Sequence, residues 1–220
     1  MNRPRQVSDA QICEKAREVF VEQGPQAPVS AVAERLGVSS AALFKRFGSK
    51  EELMLTALSP PDLSTLEWFS RLHSGPTDEA TAKEQLQEHA LSIGRFLEDH
   101  VPQITCLVTS GIPPHRAATR HNAIPAPFLV QVGLAGFIAR LQAANQVQSG
   151  NSMHMATSLL GALHMRAFTL QFSESQKAPQ PLENFVEELL TALWAGLSPT
   201  PRCPSSPQCD RQNPPTGVAK

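Results

Sequence analysis

No stretch of this 220-residue chain alternates apolar and polar residues convincingly, whereas apolar side chains recur at helical spacing almost throughout. An all-α fold is the only class that such a pattern supports. From Ser8 onward, Ile12, Ala16, Val19 and Phe20 fall on one helical face, Ser8 and Gln11 have capping-box spacing, and Gly24 supplies a stop. Residues 29 to 36 form a short second helix ended by Gly37, and residues 39 to 47 a third. Ser49 and Glu52 form a second capping box, which opens a helix running to about Leu58. Pro60 and Pro61 then punctuate the chain, which places a domain boundary between residues 58 and 59.

The remainder reads as helices near 62–73, 78–100, 103–110, 126–148, 152–173 and 182–197. The segment "GIPPHRAATRHNAIPAP" is expected to be a long loop, because it holds four prolines and little apolar pattern. Its His115, Arg116, Arg120 and His121 make a basic cluster, expected to be solvated. Residues 198 to 220 hold six prolines and almost no large apolar group, so they cannot bury enough surface to offset ordering entropy. A disordered tail is expected there.

Composition and motifs exclude several classes of function. The first dozen residues are polar, with no apolar run behind a basic start, so there is no signal-peptide pattern. The most apolar stretch, "FLVQVGLAGFIARL", is interrupted by Gln131 and Arg140 and is too short to span a bilayer, so a cytoplasmic protein without a membrane partner is expected. The four cysteines are Cys13, Cys106, Cys203 and Cys209, and none of their spacings matches a zinc pattern. There is no H-E-x-x-H, no G-x-S-x-G and no glycine-rich phosphate loop. His154 and His164 lie about 280° apart on a helical wheel and do not converge. No catalytic residue, cofactor or metal is expected.

The stretch from Ala33 to Phe47 has the requirements of a helix-turn-helix. Ala33 is small where two helices meet, Gly37 tolerates the left-handed turn, and Val32, Leu36, Val38, Leu43 and Phe47 pin the second helix. On a helical wheel Leu43 and Phe47 point inward, while Ala41, Ala42 and Lys45 point outward with Arg46 at the edge. Small outward residues let a helix approach a groove closely, and cations meet the flanking phosphates. The whole chain has a formal net charge of -1, which argues against gripping DNA. Distribution decides instead: residues 37 to 50 hold Lys45, Arg46 and Lys50 with no acid. Lys50 also stands at a helix start, where exposed amides favour anions.

The run from "QICEKAREVFVEQG" through "VSAVAERLGVSSAALFKRFGSKEELMLTAL" resembles the N-terminal domain of TetR-type transcriptional regulators. It supplies every fixed point of the pattern G-V-S-x-x-x-L-[YF]-x-[HR]-F-x-[ST]-K-E-x-L. The resemblance implies a three-helix DNA-binding domain followed by a helical effector-binding and dimerisation domain over residues 59 to 197. It implies base or nearby backbone contacts for Ser40, Ala41, Ala42 and Lys45, and phosphate contacts for Phe44, Arg46 and Lys50; Ser30 and Ser39 complete the DNA-facing set. Two departures stand out. Phe44 replaces the commoner tyrosine and lacks its hydroxyl, and "APVS" lacks the usual phosphate ligand at the start of the second helix, leaving Ser30 to substitute. Specificity is therefore expected to lean on Lys45 and on DNA shape.

The same resemblance implies a homodimer on a palindromic double-stranded operator, and a repressor released by a small-molecule effector. By order, "NSMHMATSLLGALHMRAFTLQF" and "PLENFVEELLTALWAGL" correspond to the dimer pair, with Leu159, Leu160, Leu163, Phe185, Leu189 and Leu193 as interface candidates. Trp68, His89, Phe96, Leu107, Phe128 and Phe137 are the candidates for an effector pocket. The competing reading is a helical ligand-binding or protein-interaction module that has lost specific DNA binding.

Overall fold

In the computed structural model, which describes residues 7–78, 80–121, 124–172 and 180–197, Ser8 caps the first helix as its spacing predicts. The Gln11 amide donates to Ser8 Oγ at 3.2 Å and the Ser8 amide donates to Gln11 Oε1 at 3.0 Å. Helix α1 (Asp9–Gln23) buries Ile12, Ala16, Val19 and Phe20. Helix α2 (Val29–Leu36) ends at Gly37, whose φ of 65° and ψ of 33° are left-handed. Its amide and that of Val38 return to carbonyls at Glu34 and Ala33. A Cβ at Gly37 would meet nothing within 4 Å, so backbone conformation alone sets the requirement for glycine. Gly37→Ala is expected to cost about 1–2 kcal/mol, read as a lowered midpoint in chemical denaturation.

Helix α3 (Ser40–Phe47) is capped by Ser39 Oγ and buries Leu43, and α4 (Lys50–Leu58) buries five residues, Leu53, Met54, Leu55, Ala57 and Leu58. Only half of the expected second capping box forms. The Glu52 amide donates to Ser49 Oγ at 3.1 Å, but the Glu52 carboxylate turns away to Arg116 and Arg120.

After a 3-10 turn (Leu63–Thr65) and α5 (Glu67–Ser74), the chain enters α6 (Ala82–Thr109), an unbroken helix of 28 residues. This overturns the two separate helices expected on either side of Pro102. The missing amide of a proline normally interrupts the ladder. Here Val101, Gln103, Cys106 and Leu107 are buried around it, and Gln103 Nε2 donates to the Asp99 carbonyl at 2.7 Å. Packing on both sides of the proline outweighs the lost bond. The segment expected to be a loop contains a short helix, α7 (Pro114–Ala118). The fold closes with α8 (Ala126–Ala143), α9 (Ser152–Leu170) and α10 (Leu182–Leu197), each shorter than or equal to its expected span.

Among the described residues two apolar cores form. One gathers α1 to α4 and takes Cys106, Leu107, Ile112 and Ala117 from the far end of α6 and the segment after it. The other joins α5, the first part of α6, α8, α9 and α10 around Leu72, Leu86, Phe137, Leu159 and Leu190. The first core therefore draws on residues well beyond the expected boundary at 58. At α8, Ala126–Ala143 has a mean hydropathy of 1.3 and the length to cross a bilayer, contrary to the expectation from its sequence. It buries Val130, Leu134, Phe137, Ile138 and Leu141 against the second core, which accounts for its apolar character. The Pro-rich tail, with Cys203 and Cys209, lies outside the described residues.

Candidate DNA-contacting face and helical cavity

Leu43 is 1% exposed and anchors α3 from behind, next to Phe20, Val32 and Ala33 in the first core. Phe47 is half-buried against the same core. The outer face presents Ala41, Ala42, Phe44, Lys45 and Arg46, with Ser40 half-buried at its start. Phe44 is 44% exposed, a large apolar surface for a side chain with no partner ring among the described residues. Ser39 is exposed, but its hydroxyl oxygen already accepts from the Ala42 amide at 3.2 Å. Ser30 is exposed in the first turn of α2, which begins at Pro28 without a side-chain cap.

The three cations differ sharply in their surroundings. Lys45 makes no hydrogen bond or ion pair among the described residues and is exposed. Arg46 is drawn back to the amino-terminal segment: its guanidinium lies 3.4 Å from Asp9 and donates to the Val7 carbonyl. Lys50 is half-buried, with Nζ 5.9 Å from the centroid of the Phe20 ring. Beside it, Glu51 and Glu52 pair with Arg116, and Glu52 and Thr56 with Arg120. Neither the Arg46 tie nor the arginine cluster was legible in spacing, since the partners lie 37 and more than 60 residues apart in sequence.

The effector candidates do not converge on one site. Trp68 and Phe96 pack against the second core at a tilt of 51°, with centroids 5.4 Å apart, and His89 meets Phe137 of that core edge-on at 4.3 Å. Burial pushes the His89 imidazole below its ordinary pKa, so it sits there neutral. Leu107 belongs to the first core instead, and Phe128 is 59% exposed on the outside of α8. A cavity of about 200 Å³ lies elsewhere in the helical domain, lined by Leu86, Ile138, Val147, Met155, Ser158, Leu159 and Leu193. None of the six candidates lines it. Its walls come from α6, α8, α9, α10 and the α8–α9 connection, a juxtaposition that periodicity along one helix cannot reveal.

The interface candidates also divide. Leu159 and Leu163 are 3% and 1% exposed and face the molecule's own core, so they cannot meet a partner without unfolding α9. Leu160, Phe185, Leu189 and Leu193 are partly covered by the same core. The opposite face of α9 is the open one. Met165 and Phe168 are 58% and 39% exposed there, in line with Thr157 and Gly161, and Phe172, just past the helix end, is 67% exposed with its ring 4.9 Å from that of Phe168. Phe128 and Val132 extend this apolar surface on α8, whose Gln131 donates to Thr157 Oγ1 at 2.7 Å. Among the described residues, no group of three or more His, Cys, Asp or Glu side chains is arranged to hold a metal ion.

Residues 12–57 match the family described as bacterial regulatory proteins, tetR family. No curated protein sequence matches the chain. Among solved structures, it is similar to PfmR, a TetR family transcriptional regulator from Thermus thermophilus. That match has 19% identity and a TM-score of 0.62, covering 84% of this chain and 97% of the other. A putative TetR-family regulator from Mesorhizobium loti is similar at 18% identity and a TM-score of 0.62, covering 86% of this chain and 96% of the other. The transcriptional regulator FadR from Bacillus subtilis, solved in complex with stearoyl-CoA, is similar at 20% identity and a TM-score of 0.60, covering 86% and 99%. At such identities the likeness establishes a shared fold.

Proposed function

We infer that this chain, whose residues 12–57 match the tetR family of bacterial regulatory proteins, is a DNA-binding transcriptional regulator that acts as a cytoplasmic, homodimeric repressor released by a small molecule. The observation that carries the reading is the outer face of α3. Two alanines permit close approach to a groove, and Lys45 stands among them, exposed and without a hydrogen bond or ion pair among the described residues. A surface lysine without a partner beside deliberately small neighbours suits a ligand that is itself anionic and grooved.

The route from effector to DNA runs along α6. Leu86 lines the cavity near one end of this helix, while Cys106 and Leu107 enter the first core near the other. At about 1.5 Å rise per residue, some 30 Å separates those two places. An effector that favours one position of α6 changes the setting of α1 to α4 at the far end. Repression and release are then two populated states, shifted by the ligand's differential affinity for them. The cavity is apolar apart from Ser158, and its volume of about 200 Å³ fits a small apolar molecule with a single hydrogen-bonding group.

Fluorescence anisotropy on duplexes from the DNA flanking its own gene tests this, over a salt series and with a panel of small apolar compounds. Three or four phosphates neutralised per subunit give a log–log salt slope of about -5 to -7 for the dimer. A slope near zero on the tightest duplex overturns the reading. Release by a compound that also changes the fluorescence of Trp194, the sequence neighbour of the cavity-lining Leu193, in a Trp68→Phe background supports the effector route.

A further inference from the structure

The corner where α3 meets α4 has no net positive charge of its own. Lys45, Arg46 and Lys50 are matched one for one by Asp9, Glu51 and Glu52, all of them within α1, α3 and the first turn of α4. Glu51 and Glu52 follow Arg46 by five and six residues, and the turn at Gly48 folds them back beside the end of α3. Two carboxylates in that place repel a phosphate backbone and also offset the favourable dipole at the amino-terminal end of α4. A surplus of positive charge must come from elsewhere.

It comes from the segment that follows α6. Arg116 pairs with both Glu51 and Glu52, the latter at 2.9 Å. Arg120 lies 3.3 Å from Glu52 and donates to Thr56 Oγ1 at 2.8 Å. The segment is fixed in place by apolar contacts, with Ile112 and Ala117 only 6% and 2% exposed in the first core. Glu52 has given up the return bond of its capping box to make these pairs. The arginines are thus held over the acids from two directions: by the ion pairs and by the packing of their own backbone.

We propose that Arg116 and Arg120 are positioning residues for DNA recognition, supplied by the far half of the chain to neutralise Glu51 and Glu52 and keep the α3–α4 corner electropositive toward phosphate. This rests on the reading of the chain as a DNA-binding regulator and adds two residues to it. Neither arginine needs to touch DNA. Each cancels a charge that does harm there, and each belongs to the segment that leaves α6, the helix leading to the cavity.

The test separates neutralisation from a mechanical latch. The probe is a duplex of about 30 base pairs selected from random sequence by the wild-type protein, long enough for two half-sites one helical turn apart. Binding is read by anisotropy at low salt. Arg116→Gln with Arg120→Gln is expected to weaken binding about tenfold over the two half-sites. Adding Glu51→Gln and Glu52→Gln to that variant is expected to restore affinity to within about threefold of wild type, because the harmful charge is gone. Glu51→Gln with Glu52→Gln alone, which leaves both arginines charged, is expected to tighten binding a few-fold. A latch predicts the reverse, since removing either side of the pairs breaks it equally. Loss without rescue, or no loss in the arginine variant, overturns the proposal while leaving the functional reading intact. If wild-type protein selects no duplex, both fall together. Thermal melting of each variant identifies any that fails to fold, in which case the glutamate variant alone decides by the sign of its effect.

Discussion

Lys45→Ala is expected to remove most sequence-specific DNA affinity while leaving the fold unchanged. The side chain is exposed and makes no hydrogen bond or ion pair among the described residues, so its removal deletes no polar tie that holds α3 in place. Leu43, at 1% exposure, does that work from the other side of the helix. A good base contact is worth about 1–3 kcal/mol of discrimination, and a two-fold dimer counts it twice. The specific complex therefore weakens by about 2–6 kcal/mol, a factor between about 30 and 10⁴. Arg46→Ala behaves differently. Its guanidinium is already engaged with Asp9 and the Val7 carbonyl, so truncation loosens the start of α1 and costs DNA affinity less. Anisotropy on a selected duplex and on an unrelated one, with melting curves for both variants, checks the ordering. Equal affinity of Lys45→Ala and wild type for the selected duplex sinks the assignment of α3 as the recognition helix. It also revives the alternative of a module that has lost specific DNA binding.

How much of this was legible in the sequence depends on whether the cause was local. Ser8 with Gln11, and Gly37, act through bonds to residues three or four positions away, and each does what its spacing implies. The inward turn of Leu43 and the outward turn of Lys45 follow from helical geometry alone. Pro102 misleads because the cost of a proline inside a helix is local, while the burial that outweighs it is tertiary. Glu52 shows the same conflict on a smaller scale: its spacing asks for a capping box, and two arginines from beyond α6 offer it more. Leu107 reads as an apolar residue of a helical domain, yet its place in the first core is decided by where the far end of α6 lands. The cavity and the open face of α9 belong to the same class. Both are defined by which neighbours are absent or present in space, and no one-dimensional pattern records that.

The open face of α9 leads to the other large effect: Met165→Glu together with Phe168→Glu is expected to convert a dimer into a folded monomer. Helices α9 and α10 are the pair that the family resemblance assigns to dimerisation, and on α9 the leucines Leu159 and Leu163 are already spent on the internal core. What remains available is the stripe of Met165, Phe168 and Phe172, continued by Phe128 and Val132 on α8. Thr157 and Gly161 on the same face are small enough to let a second copy approach. A two-fold axis through such a stripe buries each side chain twice. At about 1.5–3 kcal/mol for each large apolar side chain fully covered, two positions in two copies account for about 6–12 kcal/mol as an upper bound. Replacing them with carboxylates removes that stabilisation and brings like charges together across the axis. Sedimentation velocity is expected to report a monomer with wild-type helicity, because both side chains face outward in the folded chain. Operator affinity then falls by about 10²–10⁴, since the second half-site is no longer bound at the high effective concentration set by a rigid partner. Leu163→Ala provides the contrast, as it hollows the internal core and is expected to lower the melting temperature of the subunit without selectively splitting the dimer. A Met165→Glu, Phe168→Glu protein that still sediments as a dimer moves the interface off this face of α9.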